Sequence, residues 1–318
     1  MDTPYSPPAH VPIYMNSPTI PPTPKPTHLV SLPLILLLPP TLLFLLHAIR
    51  KDYRAFLALG PGGTPSTPTG YLRICILRLV ALRNPFSPPS IPSTLSPKTG
   101  YFDPCPPTSP SYTYPSTPTS QNKARDTNEH EIQTPERKRS YYLPYRLGPP
   151  PLVTGIAPQR QLTQRSTKHI YKHLARAIEE LVQANPKEYV LGTSCFEKHS
   201  TGIFASPCTT TTTTTPSAPS TGGKHRRNTC NGEICHSHPI DGSLHLTLHP
   251  ADVRVLIERG WGQRHPLAWE EETSRRWLCG TRFVPAGFVM VYAPRDEDEV
   301  RVVMEVVRAA GWWVSGES

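Results

Sequence analysis

Proline has no backbone donor and fixes φ near about −65°, so its distribution decides where a chain is free to form helices and sheets. The 41 prolines of this chain lie mostly in 1–40, 61–68, 84–119 and 144–158, in company with Ser and Thr. Segments of that composition bury too little apolar surface to offset the entropy of ordering them. They read as tails and linkers, and roughly 150 of the 318 residues remain for one compact domain. The expected division is a disordered tail over 1–28, a membrane anchor over 29–49 and a membrane-proximal helical segment over 50–83. A Pro/Ser/Thr-rich linker follows over 84–158. One α+β domain then occupies 159–314, interrupted by a disordered low-complexity insertion at 205–230 that contains the run Thr209–Thr215.

Residues 29–49, LVSLPLILLLPPTLLFLLHAI, carry no Asp, Glu, Lys or Arg and have the length of a bilayer-spanning helix. Pro33, Pro39 and Pro40 would kink that helix, which membrane segments tolerate. Arg50, Lys51 and Arg54 follow at once, so the positive-inside bias places the rest of the chain in the cytosol: a single-pass membrane protein with a cytosolic C-terminal domain. In GYLRICILRLVALRNPF (70–86), arginines punctuate Leu, Ile and Val. A helix lying in the membrane interface and a helix packed on the domain are equally compatible with that pattern.

The formal charge of +9 is spread over linkers, as in Arg137-Lys138-Arg139, and no nucleic-acid-binding motif accompanies it. Nucleic acid is therefore not an expected partner. Seven cysteines without a Cys-x-x-Cys pair show no disulfide framework, which fits a reducing compartment. Cys230, Cys235 and His236 form a minor zinc alternative.

Within the folded part, Ile170, Leu174, Ile178, Leu181 and Val182 make one helical stripe in 162–184, ended by Asn185-Pro186. One or two strands are expected in 190–205, then strands at 232–238 and 243–249 joined by an Asp241-Gly242 turn, and another at 288–292. A helix over 251–259 stops at Gly260, and a last helix starts at an Asp296/Glu299 capping box and ends at Gly311. Closely spaced strands with helices before and after predict an α+β layer with a mostly antiparallel sheet and packed helices.

Histidines concentrate in GEICHSHPIDGSLHLTLHP (232–250) and again in GWGQRHPLA (260–268). At a strand period of two, His245 and His249 point one way and Leu244, Leu246 and Leu248 the other, while His236 and His238 share a face. Imidazole moves protons near neutral pH and is also a common metal ligand. His249 falls at a strand end beside a helix start and is set aside. Glu233 reaches the face of His236 only if the register carries a bulge.

These motifs resemble the fungal luciferase family. IRKDYRAFLALGPGG (49–63) after the apolar segment, the GY-apolar stretch, and GTSCFEKHSTGIF (192–204) follow one another in that family's order, with Cys195 where the family pattern has Lys. HSHPIDGSLHLTL (236–248) and GWGQRHPLA are its most specific motifs, and VYAPRDEDEVRVVMEVV (291–307) resembles its last strand and helix. The resemblance implies a membrane-associated enzyme that oxidises 3-hydroxyhispidin with molecular oxygen, releasing carbon dioxide and light. It implies no flavin, ATP or metal. The partners it implies are a small aromatic or polyketide substrate and membrane lipid, with no obligate protein partner.

A hydroxypyrone is an acidic enol whose anion can pass an electron to oxygen. Such a reaction needs a base, a cation for the developing anion and a dry site. His236, His238 and His245 form the expected catalytic cluster, with His238 or His245 as base and Asp241 orienting it. Arg264 is expected to hold the anionic oxygen, His265 to serve as a second acid or base, and Trp261 and Tyr292 to stack on a flat substrate. Two alternatives stand beside this one. In the first, His236, His238 and a carboxylate or His245 bind Fe or Zn; in the second, the chain is a non-catalytic membrane adaptor.

Overall fold

A computed structural model of the protein describes residues 31–103, 141–206, 229–270 and 283–316. Two compact units make up the chain, Met1–Asp52 and Tyr53–Ser318. Helix α1, Ser31–Ala58, contains Pro39 and Pro40 and runs past the expected anchor through Arg50 and Lys51. Its residues Leu42, Leu43, Phe44, Leu45, Leu46 and Ile49 are exposed. Among the described residues, no helix is long and apolar enough to cross a membrane.

In the second unit, α2 (Pro68–Leu79) starts at Thr67, whose hydroxyl accepts from the Gly70 N–H at 3.1 Å. Of the two sequence readings of this helix, the one that packs it on the domain is what the structure describes. Ile74 and Leu77 are buried with Phe56, Ile156, Leu267 and Phe288, while Leu72, Ile76 and Leu79 face outward. Phe56, Ile74 and Leu77 therefore make the membrane-proximal segment part of the domain.

The central sheet has six strands: β5 (Tyr189–Thr193), β6 (Thr201–Ala205), β7 (Glu233–Ser237), β8 (Leu244–Thr247), β9 (Gly262–Arg264) and β10 (Phe288–Val291). They lie in the order β5-β6-β7-β8-β10-β9, each pair antiparallel. Strand alternation gives the sheet one aliphatic face, with Leu244, Leu246, Val289 and Val291 buried. This face packs on α3 (Lys168–Ala184), α4 (Pro250–Glu258) and α5 (Glu297–Ser315), which contribute Leu174, Leu256, Val303 and Val307 to the same core. Each such buried aliphatic side chain contributes about 1.5–3 kcal/mol. The fold is the expected α+β class.

Element boundaries differ from expectation where capping decides them. α3 begins at Lys168 because the Thr167 hydroxyl accepts the Ile170 N–H. Asp296 caps α5 through the Glu299 N–H, but the Glu299 carboxylate turns back to the Arg295 N–H, one residue outside the expected box. α5 runs through Gly311 to Ser315 and stops at Gly316, whose φ of +75° is the left-handed cap.

The largest correction concerns the Pro-rich segment 84–158, expected to be linker. Residues 104–140 lie outside the described residues, as do the tail and most of the insertion, but both flanks belong to the domain. Phe102 lies in β1 (Phe102–Asp103), which pairs with β2 (Tyr141–Tyr142); β3 (Val153–Gly155) and β4 (Gln159–Gln161) form a hairpin. Phe102, Leu143 and Ile156 are buried. Composition misleads here because a few apolar anchors and backbone hydrogen bonds suffice to hold an extended strap.

One anchor of that strap is Asp252 in α4. Its carboxylate oxygens accept from the Tyr101 and Phe102 N–H groups, each at 2.9 Å. Burial raises the Asp252 carboxyl to about 6, against the pull of those two donors. An unfolded Asp titrates near about 3.9, so the folded state holds the proton more tightly. The stabilisation from this group is full below the unfolded pKa and is lost as pH rises through 6. Relative to Asp252→Asn, the wild-type unfolding free energy in urea is expected to drop by about 2–3 kcal/mol from about pH 4 to pH 7. A difference that stays flat across that range overturns this account.

Candidate active site

The second face of the sheet carries the histidines. His236 on β7 is the cross-strand partner of His245 on β8, and His238 follows β7 on the same side. The ring centroids lie 5.3 Å apart for His236–His245, 4.7 Å for His238–His245 and 5.2 Å for His236–His238. All three rings are buried, His238 completely. A sheet face left open to water would carry imidazoles as surface groups. Here β4, the turn at 194–200 and the His265 segment cover it.

Each imidazole has one nitrogen tied to a neighbour that fixes its proton. The Glu233 carboxylate only accepts, so His236 donates through Nδ1 to Oε1 at 2.6 Å. The Ser243 hydroxyl donates to Asp241 Oδ1 at 2.7 Å and therefore accepts from His238 Nδ1 at 2.9 Å. His245 donates through Nε2 to Gln159 Oε1 at 2.9 Å. The remaining nitrogens, Nε2 of His236 and His238 and Nδ1 of His245, are then lone-pair acceptors. One from each ring lies within 4.8 Å of the others. His245 Nδ1 and His236 Nε2 stand 3.4 Å apart, and His238 Nε2 is buried without a hydrogen-bond partner.

Burial first, then the neighbouring His236, holds His238 far below the usual histidine range. His245 is held down in the same way, by burial and then by His238. Both stay neutral at physiological pH and keep their lone pairs. For Glu233, burial works to raise the pKa, but the hydrogen bonds from His236, Ser194 and the Cys195 N–H prevail, and the carboxylate sits below its ordinary value.

Asp241 reaches His238 through the Ser243 hydroxyl, and its other oxygen accepts from the Gln161 N–H at 2.7 Å. His265 joins the cluster, 5.4 Å from His245 between centroids, but both its nitrogens are occupied. Nε2 donates to the Ile156 carbonyl at 2.9 Å and Nδ1 accepts from the Leu267 N–H at 3.1 Å. With its pKa lowered by burial to about 4, it is a clamp and not the second acid or base.

Arg264 differs most from expectation. It alternates with Gln263 and His265, so its side chain leaves the histidine face and donates to the Ser87 and Ala268 carbonyls. The guanidinium beside the cluster belongs to Arg160, paired with Glu197 and bonded to the Pro61 carbonyl. Glu197 Oε2 lies 3.9 Å from His238 Nε2. Trp261 and Tyr292 are core residues: Trp261 donates to the Pro144 carbonyl, Tyr292 to Gln263, and Arg146 lies over both rings. The aromatic rings at the cluster are Phe288, 5.2 Å from His245, and Phe196, 4.7 Å from Phe288.

Several of these residues were missed for definite reasons. Glu233 shares the face of His236 because the β6–β7 register does shift, with Ile203 opposite Cys235 and Phe204 opposite Glu233. That bulge was the stated condition for its inclusion. Glu197 and Phe196 lie in the GTSCFEKHSTGIF motif without a signal that marks them. Gln159 and Arg160 sit among prolines and carry no sequence signal. His249 caps α4 by accepting from the Ala251 N–H and packs against Trp313.

Fold and site together define an α+β domain that shelters a histidine cluster between its sheet and a covering strap. A luciferase-domain family profile matches residues 231–310, the stretch from β7 through α5 that holds all three histidines. The luciferase of Neonothopanus nambi is 30% identical over 266 residues, covering 82% of this chain and 79% of that protein. The luciferase of Armillaria ostoyae is 29% identical, covering 82% and 80%. The chain belongs to the fungal luciferase family. No solved structure matches it.

Proposed function

We propose that the protein is an oxygenase that binds an acidic enol of the hydroxypyrone type, such as 3-hydroxyhispidin, and oxidises it with molecular oxygen. The observation that carries this reading is the convergence of three tautomer-fixed acceptor nitrogens in a dry site. A hydroxyl placed among them loses its proton to His238 Nε2, the one nitrogen with no partner. The enolate then gives one electron to dioxygen. The substrate radical and superoxide recombine in a carbon–oxygen bond, and the peroxide anion recovers the proton from the imidazolium. Arg160 offers positive charge on this side, and Phe196 and Phe288 offer flat apolar surface. Phe196 is half-buried, while Phe288 is buried.

Membrane association belongs to the same reading. The exposed leucines of α1 and the outward row Leu72, Ile76 and Leu79 of α2 support contact with lipid, with Arg50, Lys51 and Arg54 on the cytosolic side. The test is oxygen uptake by the purified full chain in detergent with 3-hydroxyhispidin and related hydroxypyrones, with photon counting in parallel. Uptake on at least one acidic enol and none on its O-methyl ether is the expected outcome. No uptake across the panel, from protein with a cooperative melt, overturns the reading.

A further inference from the structure

We propose that His236, His238 and His245 bind a divalent first-row transition ion through His236 Nε2, His238 Nε2 and His245 Nδ1. This goes beyond the reaction above and stands or falls without it. It also departs from the metal-free chemistry that the family resemblance implies.

Three features carry it. First, the outer nitrogens are spoken for by Glu233, Ser243 with Asp241, and Gln159, so the inner three present lone pairs to one another. Lone pairs facing across a buried space repel unless a cation lies between them. Carboxylate, hydroxyl or amide behind each imidazole is also how histidine ligands are oriented in metal sites. Second, the spacing fits. Metal–nitrogen bonds of about 2.0–2.1 Å in a tetrahedron put nitrogens about 3.3–3.4 Å apart. His236 Nε2 and His245 Nδ1 already stand at 3.4 Å, and one nitrogen from each of the three rings lies within 4.8 Å of the others. Third, His238 Nε2 is fully buried and has no hydrogen-bond partner among the described residues, and a buried unpaired nitrogen is costly.

Three imidazoles leave a fourth position open, as in catalytic zinc sites, and suit Zn, Fe, Co or Ni over the harder Mg and Ca. Glu197 Oε2 lies 3.9 Å from His238 Nε2, one of the three ligating nitrogens. In the loaded protein His238 Nε2 is a ligand and its lone pair is not available to take a proton. Glu197 then becomes the acceptor for a proton from water or substrate.

The experiment uses the full chain in detergent, stripped with chelator and titrated with Co²⁺, followed by Zn²⁺ in competition. Binding of about one Co²⁺ per chain, with visible d–d bands of a nitrogen-ligated four- or five-coordinate ion that Zn²⁺ abolishes, is expected. His238→Ala is expected to lose the bands. Gln159→Leu, which leaves all three ligands in place, is expected to weaken binding about 10–100-fold. Absence of d–d bands from folded wild-type protein overturns the inference, as does equal Co²⁺ affinity in wild type and His238→Ala. Metal binding without oxygen uptake supports the site and removes the proposed reaction. Oxygen uptake by stripped protein that takes up no Co²⁺ does the reverse.

Discussion

His238→Ala is expected to lower oxygen consumption on a hydroxypyrone by about 10²–10⁴-fold, the range a positioned proton acceptor contributes. The ring is completely buried, its Nδ1 is fixed by Ser243, and its Nε2 points at the cluster with no partner. Removing it takes away the nitrogen that receives the enol proton. The fold should survive the change. Deleting the ring opens a cavity, but it also relieves an unsatisfied buried nitrogen worth about 1–3 kcal/mol. The melting temperature is therefore expected to shift by only a few degrees. Added imidazole, which fits the vacated space, should restore part of the rate. Unchanged oxygen uptake in the folded variant would remove His238 from the mechanism.

The largest stability effect is expected at Arg160. This guanidinium is buried against the Glu197 carboxylate and also donates to the Pro61 and Gln159 carbonyls. Arg160→Ala leaves Glu197 buried without its counter-charge, a change that costs about 3–5 kcal/mol and lowers the melting temperature by roughly 10 °C. The double variant with Glu197→Ala removes the orphaned charge as well and is expected to recover part of the loss. Arg176→Ala, on the exposed side of α3, is the control and should stay within about 0.5 kcal/mol of wild type. Calorimetry on the four proteins checks this. A loss at Arg160 no larger than at Arg176 would show that the pair is not needed.

These two residues also show what the sequence made legible. His238 was identifiable from the clustered imidazoles and their strand period. Arg160 was not: it lies in a Pro-rich stretch where composition argued for a linker, and the guanidinium assigned to its role was Arg264. The assignment failed because neighbours in a strand point to opposite faces, so selecting His265 for the cluster already excluded Arg264. Trp261 and Tyr292 failed for a different reason. Their rings lie along the sheet beneath Arg146, and only the position of that arginine, distant in sequence, made them core.

Sequence alone determined the α+β class, the strands at β7, β8 and β10, the helices, and the imidazole face. All of these follow from local periodicity and caps within a few residues. Tertiary structure decided what covers that face. Gln159 with Arg160, Glu197 and Phe288 come from three separate segments, and the β7 bulge brings in Glu233. Their placement depends on long-range pairing and burial, which no window of sequence encodes. That cover turns a row of surface histidines into a dry cluster with three inward-facing lone pairs.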